Sequence, residues 1–282
     1  MKKMLAMLLC MTLWASCAMA ETINSCSGGC NGHTFTGTEK ISVQSGTHYI
    51  TLSGVDINGA GVSGGNSSAF SIEPGAKVFL TLEGRNVLAG GENYAGLRVP
   101  AGAELEITAQ STGSLEATGN AGYTSKGGAG IGGNNGESGG TITIHGGTVT
   151  ATGGSGGAGI GGGESGIGGD VVITGGTVEA TAQPDGKNPK AIGSGGGKKQ
   201  AGTLTVSGEV IEMRGGESKN AAAPVKNAQA LQSGGYHYAF IRVSKAGPAA
   251  DLPKTGDPSM LGAWVTLLGA SAMGLRLKKK KS

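Results

Sequence analysis

Aromatic side chains are scarce. The chain carries two tryptophans, five tyrosines and four phenylalanines in 282 residues. Both tryptophans, Trp14 and Trp264, lie close to the ends. Stacked rings normally supply much of the surface that grips an apolar or sugar-like ligand, so any platform between the ends has little to draw on. Aspartate is thin as well: Asp56, Asp170, Asp185 and Asp251 are the only ones before residue 252. That leaves no clustered acids for calcium. Cysteine is limited to four residues, and Cys10 and Cys17 sit in the N-terminal segment. Cys26 and Cys30 remain, spaced C-x3-C. Two thiols and the nearby His33 fall short of a four-ligand zinc set. The pair reads as a small disulfide loop, with two free thiols as the alternative.

The two ends carry targeting text. Lys2 and Lys3 precede an apolar stretch from Met4 to Trp14, and Ala18-Met19-Ala20 stands before Glu21. This is the pattern of a secretory signal peptide over 1–20, cleaved at Ala18-x-Ala20. At the other end Leu252-Pro253-Lys254-Thr255-Gly256 is followed by an apolar run from Met260 to Leu275 and by Arg276, Leu277 and four lysines. The order of these three parts resembles the cell-wall sorting signal of LPxTG surface proteins of Gram-positive bacteria. That resemblance implies a sortase that cleaves between Thr255 and Gly256 and joins Thr255 to peptidoglycan. It also implies a precursor held in the plasma membrane by residues 260–277, with the lysines on the cytoplasmic side. The expected location is therefore secreted and anchored to the cell wall.

Removing these ends reverses the charge. Taking Lys2, Lys3, Arg276 and Lys278 to Lys281 from the 22 basic residues, and Asp257 from the 19 acidic ones, leaves 15 and 18, a net −3. The mature segment has no basic footprint for nucleic acid. Glycine, by contrast, is abundant at 58 residues. At about 1 kcal/mol each relative to alanine, so many glycines exclude long helices. They permit tight turns and close backbone stacking.

The glycines punctuate a repeat. Ala129-Gly130-Ile131-Gly132-Gly133 and the strand-like text from Thr141 to Thr152 return as Ala158 to Gly162 and Asp170 to Thr181. A worn copy runs through Ala191 to Gly193, Thr203 to Val206 and Val210 to Met213. Each unit holds three short pieces of period-two alternation, the pattern of strands. The apolar positions superimpose in four columns: Ile131, Ile160 and Ile192; Ile142, Val171 and Leu204; Ile144, Ile173 and Val206; Val149, Val178 and Ile211. Degenerate coils extend upstream, including one with Val87 and Ala89 facing inward, and Tyr238 to Val243 reads as a closing strand. The expected fold is all-β, a parallel β-helix, right-handed, with about six to seven three-strand coils over 41–243. A cap over 21–40 precedes it, and a short linker over 244–251 leads to the sorting signal at 252–282.

The GAGIGGG and GGTITIxGGTVTATGG phrases resemble glycine-rich β-helix domains assigned to carbohydrate binding in secreted Gram-positive proteins. The resemblance spans roughly Cys26 to Gly216 and implies a polysaccharide or host-glycan partner with no cofactor. The candidate ligand face is the set of outward threonines, Thr141, Thr143, Thr148, Thr150, Thr152 and Thr177. Catalysis is not expected. Glu179 and Glu212 fall at equivalent positions of neighbouring coils, about 5 Å apart, which fits a retaining glycosidase pair on paper. Solvated outward residues explain the same positions, and His145 reads as an exposed turn residue. A non-catalytic adhesion or polysaccharide-binding module is thus expected. A polysaccharide-active enzyme and a wall spacer without a ligand are the alternatives.

Overall fold

The computed structural model describes residues 30–59, 67–121, 126–184, 186–197 and 200–244. The chain winds through three sheets in turn, and each strand pairs in parallel with the strand one coil later. Sheet A holds β2 (Ile41–Val43), β5 (Phe70–Ile72), β8 (Leu97–Arg98), β11 (Ile131–Gly132), β14 (Ile160–Gly161) and β17 (Ile192–Gly193). Sheet B holds β1 (Cys30–Phe35), β3 (Gly46–Ser53), β6 (Ala76–Glu83), β9 (Glu104–Ile107), β12 (Thr141–Ile144), β15 (Asp170–Ile173) and β18 (Thr203–Val206). Sheet C begins with β4 (Asp56–Asn58), β7 (Arg85–Glu92), β10 (Ser114–Asn120), β13 (Thr148–Ser155) and β16 (Gly176–Gln183). The protein is a parallel β-solenoid. Of the six to seven coils expected, about five are complete, from β2–β4 to β14–β16. The strands β1, β17 and β18 add partial rungs at the two ends.

Alternation drives this arrangement. In a strand successive side chains point to opposite faces, and burying one face fixes the register. Ile131, Ile160 and Ile192 stack as expected in sheet A, continuing the line of Ile41, Phe70 and Leu97. Ile142, Val171 and Leu204 stack in sheet B, as do Ile144, Ile173 and Val206. All but Val206 of these are buried, most of them completely.

Two expectations fail. Val87 and Ala89 face outward, while Asn86 and Leu88 point into the core. The register pairs Asn86 with Leu115, so an asparagine occupies an aliphatic column. It is tolerated because its amide is satisfied. Asn86 Oδ1 accepts from the Val55 amide at 3.1 Å, and Nδ2 donates to the Glu83 and Ser114 carbonyls at 3.0 and 3.1 Å.

The fourth column also ends differently. Val149 and Val178 stack, but Ile211 does not follow them. The closing strand β21 (Tyr238–Val243) pairs antiparallel with β16, putting Ile241 beside Val178. Strand β19 (Val210–Gly216) is displaced to the far side of β21 and is antiparallel to it. The pairing steps from Val210 to Glu212, so Ile211 is the bulged residue and is 55 % exposed. Beyond β19 lies β20 (Ala223–Pro224). Its proline cannot donate to a further strand, which blunts that edge.

The ends are covered in part. At the C-terminal side, α1 (Ala228–Ser233) is capped by Asn227, whose side chain accepts from the Ala230 amide at 2.8 Å. It buries Leu231, and Gln232 donates to the Gly202 carbonyl at 2.9 Å. At the N-terminal side β1 lies on β3, inside the expected cap. Residues 21–29 of that cap lie outside the described residues, as do the signal peptide, residues 245–251 of the linker and the sorting signal. Among the described residues no helix is long and apolar enough to cross a membrane.

Candidate functional site

The outward face of sheet B is the chemically richest surface. Parallel register aligns its outward residues into rows along the solenoid. One row runs Thr47, Lys77, Glu104, Thr141, Asp170 and Thr203. The next runs Tyr49, Phe79, Glu106, Thr143, Val172 and Thr205. Direct neighbours in such rows are close enough for side chains to touch.

The second row begins with an aromatic pair that sequence reasoning missed. The Tyr49 and Phe79 rings stack with centroids 4.8 Å apart and planes 7° from parallel. Tyr49 is 44 % exposed, an unusual exposure for so large a ring. Lys77 Nζ lies 4.9 Å from the Phe79 centroid, within cation–π range, and reaches Glu104 at 3.4 Å and Glu106 at 3.7 Å. The signal was available: Tyr49 and Phe79 are both outward residues of strands one coil apart. Their sequence separation hid the contact until the coil lengths were known.

Beside the first row a shallow groove of about 410 Å³ runs between sheets A and B. Its wall includes Thr141, Asp170 and Thr203, and Gly140, Gly169 and Gly202 form much of its floor. These glycines are required by stacking. A Cβ on Gly169 would overlap the Gly140 carbonyl, and one on Gly202 would overlap the Gly169 carbonyl. Their lack of side chains leaves a channel lined by backbone, hydroxyls and one carboxylate. Thr203 donates to Asp170 at 2.7 Å. Hydroxyl and carboxylate pairs of this kind suit sugar hydroxyls, which both donate and accept.

The expected threonine face is split between two surfaces. Thr141 and Thr143 lie on sheet B, with Thr141 at the groove. Thr148, Thr150, Thr152 and Thr177 lie on sheet C, around the corner formed by His145 to Gly147. There Thr148 pairs with Thr177, but Thr150 is flanked by Glu116 and Glu179. Glu116 is held by Arg85 at 2.7 Å and Glu179 by Lys219 at 2.8 Å. Ion pairs therefore break the hydroxyl rows on sheet C.

The acid pair suggested by the repeats does not form. Insertion of β21 sets Glu179 opposite Phe240, and Glu212 opposite Arg242. Arg242 reaches Glu212 at 3.2 Å. Glu179 serves Lys219 and Tyr238 instead: burial and the Glu179 charge push the Tyr238 hydroxyl up to about 12.

His145 is more connected than a plain turn residue. Its Nδ1 meets Thr174 Oγ1 at 2.6 Å, and its Nε2 meets Glu106 Oε1 at 3.3 Å. A carboxylate, imidazole and hydroxyl in line can activate the hydroxyl. Here the three come from three successive coils and tie them together, away from the residues that line the groove. Among the described residues no group of three or more His, Cys, Asp or Glu gathers around a metal position. Cys30 opens β1, while Cys26, Ala18, Ala20 and the pentapeptide Leu252 to Gly256 lie outside the described residues. No family model matches the chain, and no curated protein or solved structure matches it either.

Proposed function

We propose that this is an exported, wall-anchored surface protein whose solenoid binds a linear polysaccharide along sheet B without cleaving it. The observation that carries the reading is the exposed Tyr49–Phe79 stack at one end of rows that continue through Lys77, Glu104 and Glu106 to the groove at Thr141, Asp170 and Thr203. Aromatic surface at one end and a hydroxyl-lined channel at the other fit an extended chain lying along the axis. Sortase and peptidoglycan are the partners implied by Leu252 to Gly256. Mass spectrometry of muramidase-released wall fragments, showing a chain that ends at Thr255, tests that part.

The binding part is tested on a glycan array with residues 21–251 and turnover assays alongside. Binding without product release is expected. Tyr49→Ala should weaken it about tenfold, a loss of about 1.4 kcal/mol, while Thr150→Ala on sheet C should leave it unchanged. Equal loss from both variants, or product release that vanishes in His145→Gln, would sink the reading. The second outcome would favour hydrolysis through Glu106, His145 and Thr174.

A further inference from the structure

The outward face of sheet B is unbalanced in charge. Its strands carry one lysine, Lys77, against four carboxylates, Glu83, Glu104, Glu106 and Asp170, all at outward positions. On sheet C, Glu116, Glu179 and Glu212 are each met by a different base, Arg85, Lys219 and Arg242. On sheet B, Lys77 is shared between Glu104 and Glu106, and Glu106 also meets His145. Neither Glu83 nor Asp170 has a base within ion-pair distance among the described residues. A face of this kind repels an anionic polymer and attracts a cationic one.

Asp170 is where that charge meets a cavity. Among the described residues it is the only charged side chain lining the groove. It is exposed, and its carboxylate has one hydrogen-bond partner among them, the Thr203 hydroxyl, which donates to Oδ1. That leaves Oδ2 to accept from a ligand, with the hydroxyl-bearing Thr141 as register partner on the neighbouring coil. An ammonium offers three donors and no acceptor, and its bond to a carboxylate is stronger than one between neutral groups. The same face already holds one ammonium in this way. Lys77 Nζ rests on the Phe79 ring between Glu104 and Glu106. Spacing sets the size of the ligand. Tyr49 on β3 and Asp170 on β15 are separated by four rungs, from β3 through β6, β9 and β12. At the usual strand spacing that is about 19 Å. A ligand that uses both the ring platform and the carboxylate therefore spans several sugars.

We propose that the polymer bound along sheet B is a hexosamine chain bearing free amines, and that Asp170 in the groove receives one of its ammonium groups. This rests on the reading of sheet B as a polysaccharide surface and names the class of polymer. Sugar rings lie over Tyr49, hydroxyls meet the threonines, and the carboxylates select the unacetylated amine.

The full chain, purified in detergent, is titrated by calorimetry with two glucosamine hexamers, one with free amines and one fully N-acetylated. A hexamer of uronic acid supplies the opposite charge, and a hexamer of lysine supplies the amines without the rings. The free-amine hexamer should bind about tenfold tighter than the acetylated one, and the uronate should not bind. Added salt should narrow that preference. Asp170→Asn, at an exposed position, should remove most of it, whereas Glu116→Gln, the same charge lost on sheet C, should leave it unchanged. Tyr49→Ala should weaken both glucosamine hexamers alike. Equal affinity for the two hexamers, with Tyr49→Ala still weakening both, overturns the amine assignment and leaves the polysaccharide reading standing. So does silence from the free-amine hexamer while the glycan array returns another polymer. Silence from both overturns the two together. A preference untouched by Asp170→Asn overturns the groove as the amine site, and lysine hexamer bound as tightly as the free-amine sugar overturns the hexosamine in favour of bare charge.

Discussion

Glycine is the residue on which coil stacking turns. Gly132, Gly161 and Gly193 hold one position in successive coils, with φ of +139°, +134° and +141°. L-residues rarely adopt that backbone. A Cβ on Gly161 would also overlap the Gly193 carbonyl of the next coil. Gly136 has φ of +81° but open space where its Cβ would lie. The two positions therefore separate strain from clash. Gly136→Ala should cost about 1 kcal/mol, the lower end of the strain range. Gly161→Ala should cost about 3 kcal/mol or more, because strain and overlap add. Urea unfolding followed by circular dichroism gives both values. Equal costs would mean that the coils can spread to admit a side chain.

At the scale of elements, periodicity carried the reading only where one phase of a strand was apolar. Ile142 and Ile144 alternate with threonines, so their strand has one self-consistent orientation. Val87, Leu88 and Ala89 are apolar in both phases, and the residue that decides is Asn86, whose partners sit in the coil before and the coil after. That information is not local, so the phase was misread. The same holds for β21. Its text, Tyr238 to Val243, was legible as a closing strand, but its insertion between β16 and β19 depends on pairing across more than fifty residues. Antiparallel insertion changes which isoleucine completes the sheet C column. Ile241 is fully buried, and Ile211 is mostly exposed. Ile241→Ala should therefore cost about 2–5 kcal/mol, and Ile211→Ala no more than about 0.5 kcal/mol. A simple parallel continuation of the repeat would reverse that order. The candidate site was half legible for the same reason. Thr141 was found because it lies inside a clear repeat, whereas the Tyr49–Phe79 contact needed the register of two degenerate coils.

Across the whole molecule, each coil touches mainly its neighbours, so stability depends on the ties between them. One polar tie spans three coils on the outside of sheet A. Arg98 donates to Glu73 at 2.8 Å, and through Nε and an Nη to both oxygens of Glu137 at 2.9 Å. Burial alone would raise the Glu137 carboxyl. The hydrogen bonds and charge of Arg98, helped by the Asn134 amide, outweigh it and hold that group below its ordinary 4.5. Burial likewise opposes the Arg98 charge, yet its carboxylate partners raise it further above the ordinary guanidinium value. The sign follows from linkage. The folded carboxyl is the stronger acid, so between its folded value and 4.5 the unfolded chain binds more protons. The tie is fully present above 4.5 and is lost as pH falls through the folded value. Arg98→Met removes the main partner and leaves burial opposed only by the Asn134 amide at Glu137. The urea midpoint of wild type should exceed that of Arg98→Met most at pH 7, and the gap should narrow steadily as pH drops below 4.5. A gap that stays constant down to the acid limit would assign the loss to packing of the arginine stem and not to the charge tie between the coils.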